Sequence, residues 1–328
     1  MSFLIAMTNL PSVTPCRGPA NVPEVRKNAI GTRVLPAAAI LGRRGRMLSM
    51  KTAWITVGVR AGLVVFLLLA SPVAGATESP WVALGGGLEL GRFPLAGQGS
   101  PPAQVHVLRV DPRLWELTLH GLSNSESGGY TAREWLRREG LVAAINAGMY
   151  QADYRTHSGY MRADGTVFSR GTNSYLSAAA FVPVDPKDPP FRMFDLDVDP
   201  LAAVLPRYRR IVQNLRLVKR PGENRWSSQD RRWSEAALGE DNEGRTLLIF
   251  CGTPLPLDRL IEALLALPLG LVAAQHLEGG TQAQFFVAAG GQTIELVGGD
   301  EGGFPAPYPN RPAWPIPNVI GVRSRPAQ

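Results

Sequence analysis

The chain has 328 residues, 45% hydrophobic and 19% charged, an ordinary globular balance with ample material for a core. Its formal charge of +7 is concentrated at the front, where residues 1–76 hold nine Lys/Arg against the single acid Glu24. The remainder carries 25 basic and 26 acidic residues, a net charge of −1, which excludes the nucleic-acid partner that the overall basicity suggests.

Residues 1–46 are rich in Pro and Arg without periodicity, and Met47 or Met50 is a more natural start. The segment is expected to be disordered or an over-extended start. Arg43, Arg44, Arg46 and Lys51 then form a positive region, Ala61 to Ala70 an apolar one, and Ala74-Gly-Ala76 a small-residue cleavage signal. Residues 47–76 therefore read as a secretory signal peptide, with Thr77 the first mature residue. A retained anchor is the alternative, but Arg60 interrupts the apolar run, which is short of the roughly 20 residues a span needs. Membrane contact is expected only through this transient or retained segment, and the mature chain is expected in the periplasm or outside the cell.

Trp81 to Leu90, Gln104 to Val110 and Leu114 to His120 read as strands, the last with clean alternation. Gly121 to Tyr130 is a polar loop. Thr131-Ala-Arg-Glu134 supplies a capping box for a helix ending near Gly140. Leu141 to Ile145 follows as a buried strand carrying Asn146-Ala-Gly-Met-Tyr150 at its end. Ser158 to Phe168 predicts a hairpin turning on Asp164-Gly165, and Tyr175 to Val184 another strand. Asp185 to Pro206 reads as a loop or insertion, Ile211 to Val218 as an apolar stretch, and Pro221 to Trp233 as a charged loop. Ser234 to Phe250 is a hairpin turning near Asn242–Gly244. Leu257, Leu260, Ile261, Leu264 and Leu265 fall at helical spacing up to Pro268. Leu271 to Ala274 is then a buried strand leading into His276-Leu-Glu-Gly-Gly280. Gly298 to Pro315 is a Gly/Pro-rich tail, and 317–322 returns as a last short strand.

Twice, then, the order is strand, helix, strand, which implies a crossover and a parallel pair with ligands gathering at the strands' carboxyl ends. The fold class expected is α+β: a single domain over residues 77–328, with a mixed β-sheet containing strand-helix-strand units and flanking helices. The Asn146 and Glu278 motifs are expected on neighbouring strands facing one cleft. Cys16 lies in the leader and leaves Cys251 alone, a buried thiol without a disulfide partner. No Cys-x-x-Cys or His-x-x-x-His pattern is present, so no metal site and no cofactor are expected.

Asn146-Ala-Gly-Met-Tyr150, Ser158-Gly159, Asp164-Gly165, Trp233-Ser-Glu-Ala-Ala-Leu-Gly239 and His276-Leu-Glu-Gly-Gly280 occur in that order. Together they resemble the phosphodiester glycosidase family, over roughly Gln104 to Val322. Two departures stand out: Glu278 replaces the usual Asp, and Thr281-Gln-Ala replaces the third glycine and serine. The resemblance implies hydrolysis of a sugar-1-phosphodiester in envelope or extracellular glycans, with a carbohydrate or glycosyl phosphate as partner. A non-catalytic carbohydrate-binding protein on the same fold is the alternative.

Breaking such a bond gives an oxocarbenium-like transition state, which glycosidases meet with paired carboxylates. Glu278 is the first candidate, although it also suits a turn that accepts N–H bonds. Asp153 or Asp164 is its candidate partner, the latter fitting a hairpin turn better. Asn146 reads as a ligand for a hydroxyl or phosphate, or as a cap on the strand. His276 suits a proton shuttle or a hydrogen-bonded core position. Gly148, Gly279 and Gly280 suit a backbone N–H nest for the phosphate, with Met149, Tyr150, Ser158, Gly159 and Gln282 beside them. Arg231 and Arg232 are candidates to pair with the phosphate, and Trp226 and Trp233 to stack on the sugar.

Overall fold

The computed structural model describes residues 79–95, 102–123, 126, 128–171, 173–299 and 312–325; the expectations for residues 1–76 lie outside them. Four strands come first: β1 (Trp81–Gly85), β2 (Leu88–Leu95), β3 (Ala103–Val110) and β4 (Trp115–Gly121). Helix α1 (Ala132–Glu139) starts at the expected capping box on Thr131 and ends at a left-handed Gly140. After β5 (Ala143–Asn146), the hairpin of β6 (Tyr160–Ala163) and β7 (Thr166–Arg170) turns on Asp164 and Gly165, both at positive φ. β8 (Ser177–Pro183), β9 (Phe191–Asp195), α2 (Leu201–Val204), β10 (Tyr208–Asn214), β11 (Arg216–Lys219) and β12 (Glu223–Asn224) follow. The hairpin β13 (Trp233–Asp241) and β14 (Thr246–Leu255) leads into α3 (Leu257–Ala266) and β15 (Leu271–Gly279). A single 3₁₀ turn (Gly280–Gln282), the hairpin β16 (Gln284–Ala289) and β17 (Gln292–Val297), and finally β18 (Asn318–Ser324) complete the described chain.

The expected mixed sheet is corrected. Strands dominate and form three sheets, in the orders β1-β2-β3-β14-β13-β15-β11-β12, β7-β6-β10-β8-β9 and β17-β16-β5-β18-β4. Every pairing between described strands is antiparallel. Both crossovers exist, yet neither joins hydrogen-bonded neighbours. β14 and β15 flank α3 in sequence and run parallel, but β13 lies between them, antiparallel to both. β4 and β5 flank α1 in the same way, with β18 inserted between them. Each unit is a split crossover: the inserted β13 is the hairpin partner of β14, whereas β18 arrives from the far end of the described chain.

The three sheets share one core. Leu88, Leu108 and Leu238 of the first sheet, Met161, Phe181 and Val212 of the second, and Ile145, Phe285 and Ile320 of the third pack together there, all buried. Each sheet has a second face. Leu257, Leu260, Ile261 and Leu264 of α3 cover that of the first sheet, the helical spacing read from the sequence. Each such side chain contributes about 1.5–3 kcal/mol on burial. Trp135 of α1 covers the third sheet, and Val204 of α2 the second. The loop expected over 185–206 in fact holds β9 and α2. Phe191 and Met193 face the shared core while Phe194 faces α2, so both faces are apolar and no alternation is visible.

Candidate active site

β15 is longer than its apolar run suggested, and His276 and Glu278 belong to it. A bulge at Leu277 puts Glu278 opposite Ala236 and His276 opposite Ala237 on β13. Such a bulge re-aims side chains at the end of a strand. Both Glu278 oxygens accept backbone N–H groups: Oε1 from Gly279 at 3.1 Å and Oε2 from Tyr150 at 3.2 Å. The second bond joins the two motifs, although their strands lie in different sheets. They are not neighbours, but they meet.

The other half is the loop from Asn146 to His157. Asn214 of β10 binds its backbone on both sides of Gly148, donating to the Ala147 carbonyl at 2.9 Å and accepting from the Met149 N–H at 3.4 Å. Gly148 is required there: its φ is +156°, and a Cβ would stand 2.5 Å from Asn214 Oδ1 and from the His157 ring. His157 is buried, its Nε2 2.9 Å from the Gln213 carbonyl, and burial lowers its pKa to about 4. Asn146 is fully buried; its Oδ1 accepts from the Gln284 N–H at 3.0 Å. Gln284 in turn donates to the Trp314 carbonyl at 2.5 Å and accepts from the first N–H of α1. Asn146 therefore anchors the floor beneath the site.

Between the two halves opens a cavity of about 640 Å³ lined by Tyr150, Gln151, Ala152, Tyr154, Glu278, Thr281, Gln282 and Trp314. Its volume suits a small ligand. Glu278 is the one carboxylate among these lining residues. Tyr154 and Trp314 are 65% and 56% exposed, the only aromatic rings among the large hydrophobic residues left open to solvent in the described chain. Both stand in the same cavity.

Asp153 does not face Glu278 as a partner. Its carboxylate accepts from the Arg155 and Thr156 N–H groups, each at 2.9 Å, and from the Thr156 hydroxyl at 2.6 Å. These bonds, the Thr156 hydroxyl first, lower its pKa. They form the turn that carries Tyr154 at φ 51°. Asp164 is held by Arg210 at 2.7 Å in the hairpin turn. The Arg231 guanidinium stacks over the Trp233 ring at 5.7 Å, and Trp233 packs across Gly279, where a Cβ would stand 2.1 Å from its ring. Neither residue lines the cavity, and Trp226 donates to the Arg216 carbonyl instead. Ser158 and Gly159 are buried behind the loop. The Ser158 hydroxyl hydrogen-bonds Tyr175, a phenol raised by burial and, more weakly, by Glu278. Gly280 takes a left-handed φ of +63° in the turn beyond Glu278.

Residues 139–323 match the phosphodiester glycosidase family. The chain belongs to that family. Among solved structures it resembles the zebrafish N-acetylglucosamine-1-phosphodiester alpha-N-acetylglucosaminidase catalytic domain auto-inhibited by its pro-peptide. That likeness has a TM-score of 0.56 and 16% identity over 76% of this chain and 85% of that one. A hypothetical protein from Synechocystis aligns at a TM-score of 0.49 and 14% identity over 76% of this chain and 64% of that one. The zebrafish likeness bears on the fold alone. No curated protein matches the chain.

Within this phosphodiester glycosidase domain, the residue that the sequence did not single out is Glu235. It lies fully buried on β13, with Oε1 2.5 Å from His276 Nδ1 and Oε2 accepting from the Trp233 indole at 3.0 Å. His276 Nε2 stands 3.9 Å from Glu278 Oε1. Glu235 lay inside the Trp233 to Gly239 motif, but as an acid among Ser, Ala and Leu in a strand otherwise fit for a core it was given no role. Tyr154 and Trp314 were equally unmarked, in a loop tip and a Gly/Pro-rich tail. No helix among the described residues is long and apolar enough to cross a membrane.

Proposed function

We propose that this chain hydrolyses a glycosyl phosphodiester, with Glu278 as the base that activates water. The observation that carries the reading is Glu278 on the wall of a 640 Å³ cavity, both oxygens fixed by backbone N–H groups and flanked by two exposed rings. Water gives its proton to Glu278 as its oxygen bonds to the anomeric carbon. The bond from that carbon to the phosphate oxygen breaks, and its electron pair leaves on the phosphate. Two carboxylates facing each other across a sugar serve leaving groups that must be protonated. A phosphate carries the departing charge over several oxygens and does without that acid, so one carboxylate at the cavity suffices.

The rings of Tyr154 and Trp314 supply apolar surface for a sugar face, replacing Trp226 and Trp233 in that role. The leader pattern of residues 47–76 supports export, and envelope or extracellular glycans as the substrate. That Glu278 is the one carboxylate among the described lining residues also favours a second reading, a carbohydrate-binding protein without turnover.

The test is hydrolysis of a panel of sugar-1-phosphodiesters by the purified mature domain and by its Glu278→Gln variant. Loss of one acid/base group lowers the rate by a factor of about 10² to 10⁴, and the melting temperature should stay near wild type. Undiminished turnover in Glu278→Gln would refute the assignment. Binding without turnover in the wild type would establish the second reading.

A further inference from the structure

Hydrolysis at one carboxylate does not by itself require a second carboxylate sealed in the core behind it. Glu235 is such a group. A buried carboxylate is costly unless its charge is matched, and its match is the His276 ring at 2.5 Å. The other ring nitrogen faces Glu278 at 3.9 Å. The imidazole thus lies between two carboxylates, one buried and one at the cavity. We propose that Glu235 and His276 are positioning residues for Glu278: Glu235 keeps His276 an imidazolium, and this fixed positive charge holds the cavity carboxylate in the orientation of a base. The inference rests on the role of Glu278 proposed above.

Burial raises Glu235 itself, and the charge and hydrogen bond of His276 work against that rise. On β13, Glu235 is joined only by the neutral Trp233 indole. On β14 stands Cys251, whose thiol is pushed up to about 12 by burial and, less, by Glu235, and so stays neutral. On the β11 side the Leu215 carbonyl accepts the His276 backbone N–H, and Arg216 is committed to Asp195 and Asp197. Across the cavity, burial and then Glu278 hold the Tyr150 phenol well above its ordinary value, and Tyr175 is raised by the same two effects. Burial alone would discharge the ring. The attraction of Glu235, its hydrogen bond and the charge of Glu278 outweigh that and raise His276. The ring keeps its proton through the cycle. The proton that Glu278 takes from water returns to solvent through the cavity, and the buried pair ends as it began.

The test joins a spectroscopic readout to a kinetic one. Imidazole ¹⁵N shifts of His276 should show a cation at pH 7 in the wild type and a neutral ring in Glu235→Gln. The alkaline limb of the kcat profile should move to lower pH by about one unit or more in that variant, while Glu235→Asp restores part of it. If Glu235→Gln does not fold, the double variant Glu235→Gln/His276→Gln keeps a hydrogen-bonded amide pair without charge. It should melt near wild type and lose the alkaline limb. A neutral His276 at pH 7 in the wild type overturns the proposal whatever the turnover, as does an unmoved kcat profile in a folded Glu235→Gln. Retained activity in Glu278→Gln sinks the proposed function instead, leaving the ¹⁵N shifts to judge the pair.

Discussion

Two exposed rings and one carboxylate divide the work of the cavity in different ways, and kinetics can separate them. Trp314→Ala removes a stacking surface, worth about 0.5–1.5 kcal/mol for an aromatic contact. We expect KM for a sugar-1-phosphodiester to rise up to about tenfold with kcat little changed; a fall in kcat at constant KM would mean that the ring is not a binding surface. Glu278 and Tyr150 drew notice in sequence because each sits in a short motif with glycines that a turn or close approach demands. Asp153 was misplaced because a carboxylate beside a motif reads alike whether it faces a ligand or its own loop. Its partners, the Arg155 and Thr156 N–H groups, are a matter of local geometry. Glu235 was hidden for the opposite reason. An acid in a hairpin arm reads as solvated, and only the distant His276 shows what it is for.

Elements whose causes are local were readable, and those whose causes are remote were not. Thr131 and Glu134 are three residues apart, so α1 could be read from its capping box. The position of β18 depends on pairing with β4 and β5, far upstream, which no periodicity encodes. Its importance can be measured against an edge strand. Ile320 is fully buried in the shared core, and Ile320→Ala should cost about 2–5 kcal/mol. Val82 on edge strand β1 is 51% exposed, and Val82→Ala should stay within about 0.5 kcal/mol. Urea unfolding of the two variants gives the comparison; similar midpoints would show that β18 is not integral to the sheet.

At the scale of the whole molecule, buried histidines set how stability responds to acid. His157 and His106 are both lowered to about 4, by burial first and for His106 also by Arg92. Their unfolded values lie near 6.5, so the unfolded chain takes protons that the folded rings refuse. The stabilisation is complete above about pH 6.5 and is lost as pH falls toward 4, with His157 alone contributing on the order of 3 kcal/mol. His276 works the other way: its raised folded value gives stability that is present at low pH and fades as pH climbs through that value. Between pH 7 and 5, above the carboxylate range, the urea midpoint should therefore fall, and less steeply in His157→Gln. A flat profile there in the wild type would contradict the burial of these rings. The insertion of β18 between β4 and β5 has a further consequence, which concerns synthesis. As the chain is made from its N-terminus, β4 and β5 emerge with no strand to join them. They stay apart until residue 324 has left the ribosome. Nascent chains therefore hold the Asn146 loop without a finished sheet beneath it, and the site assembles only after translation has passed the last described strand.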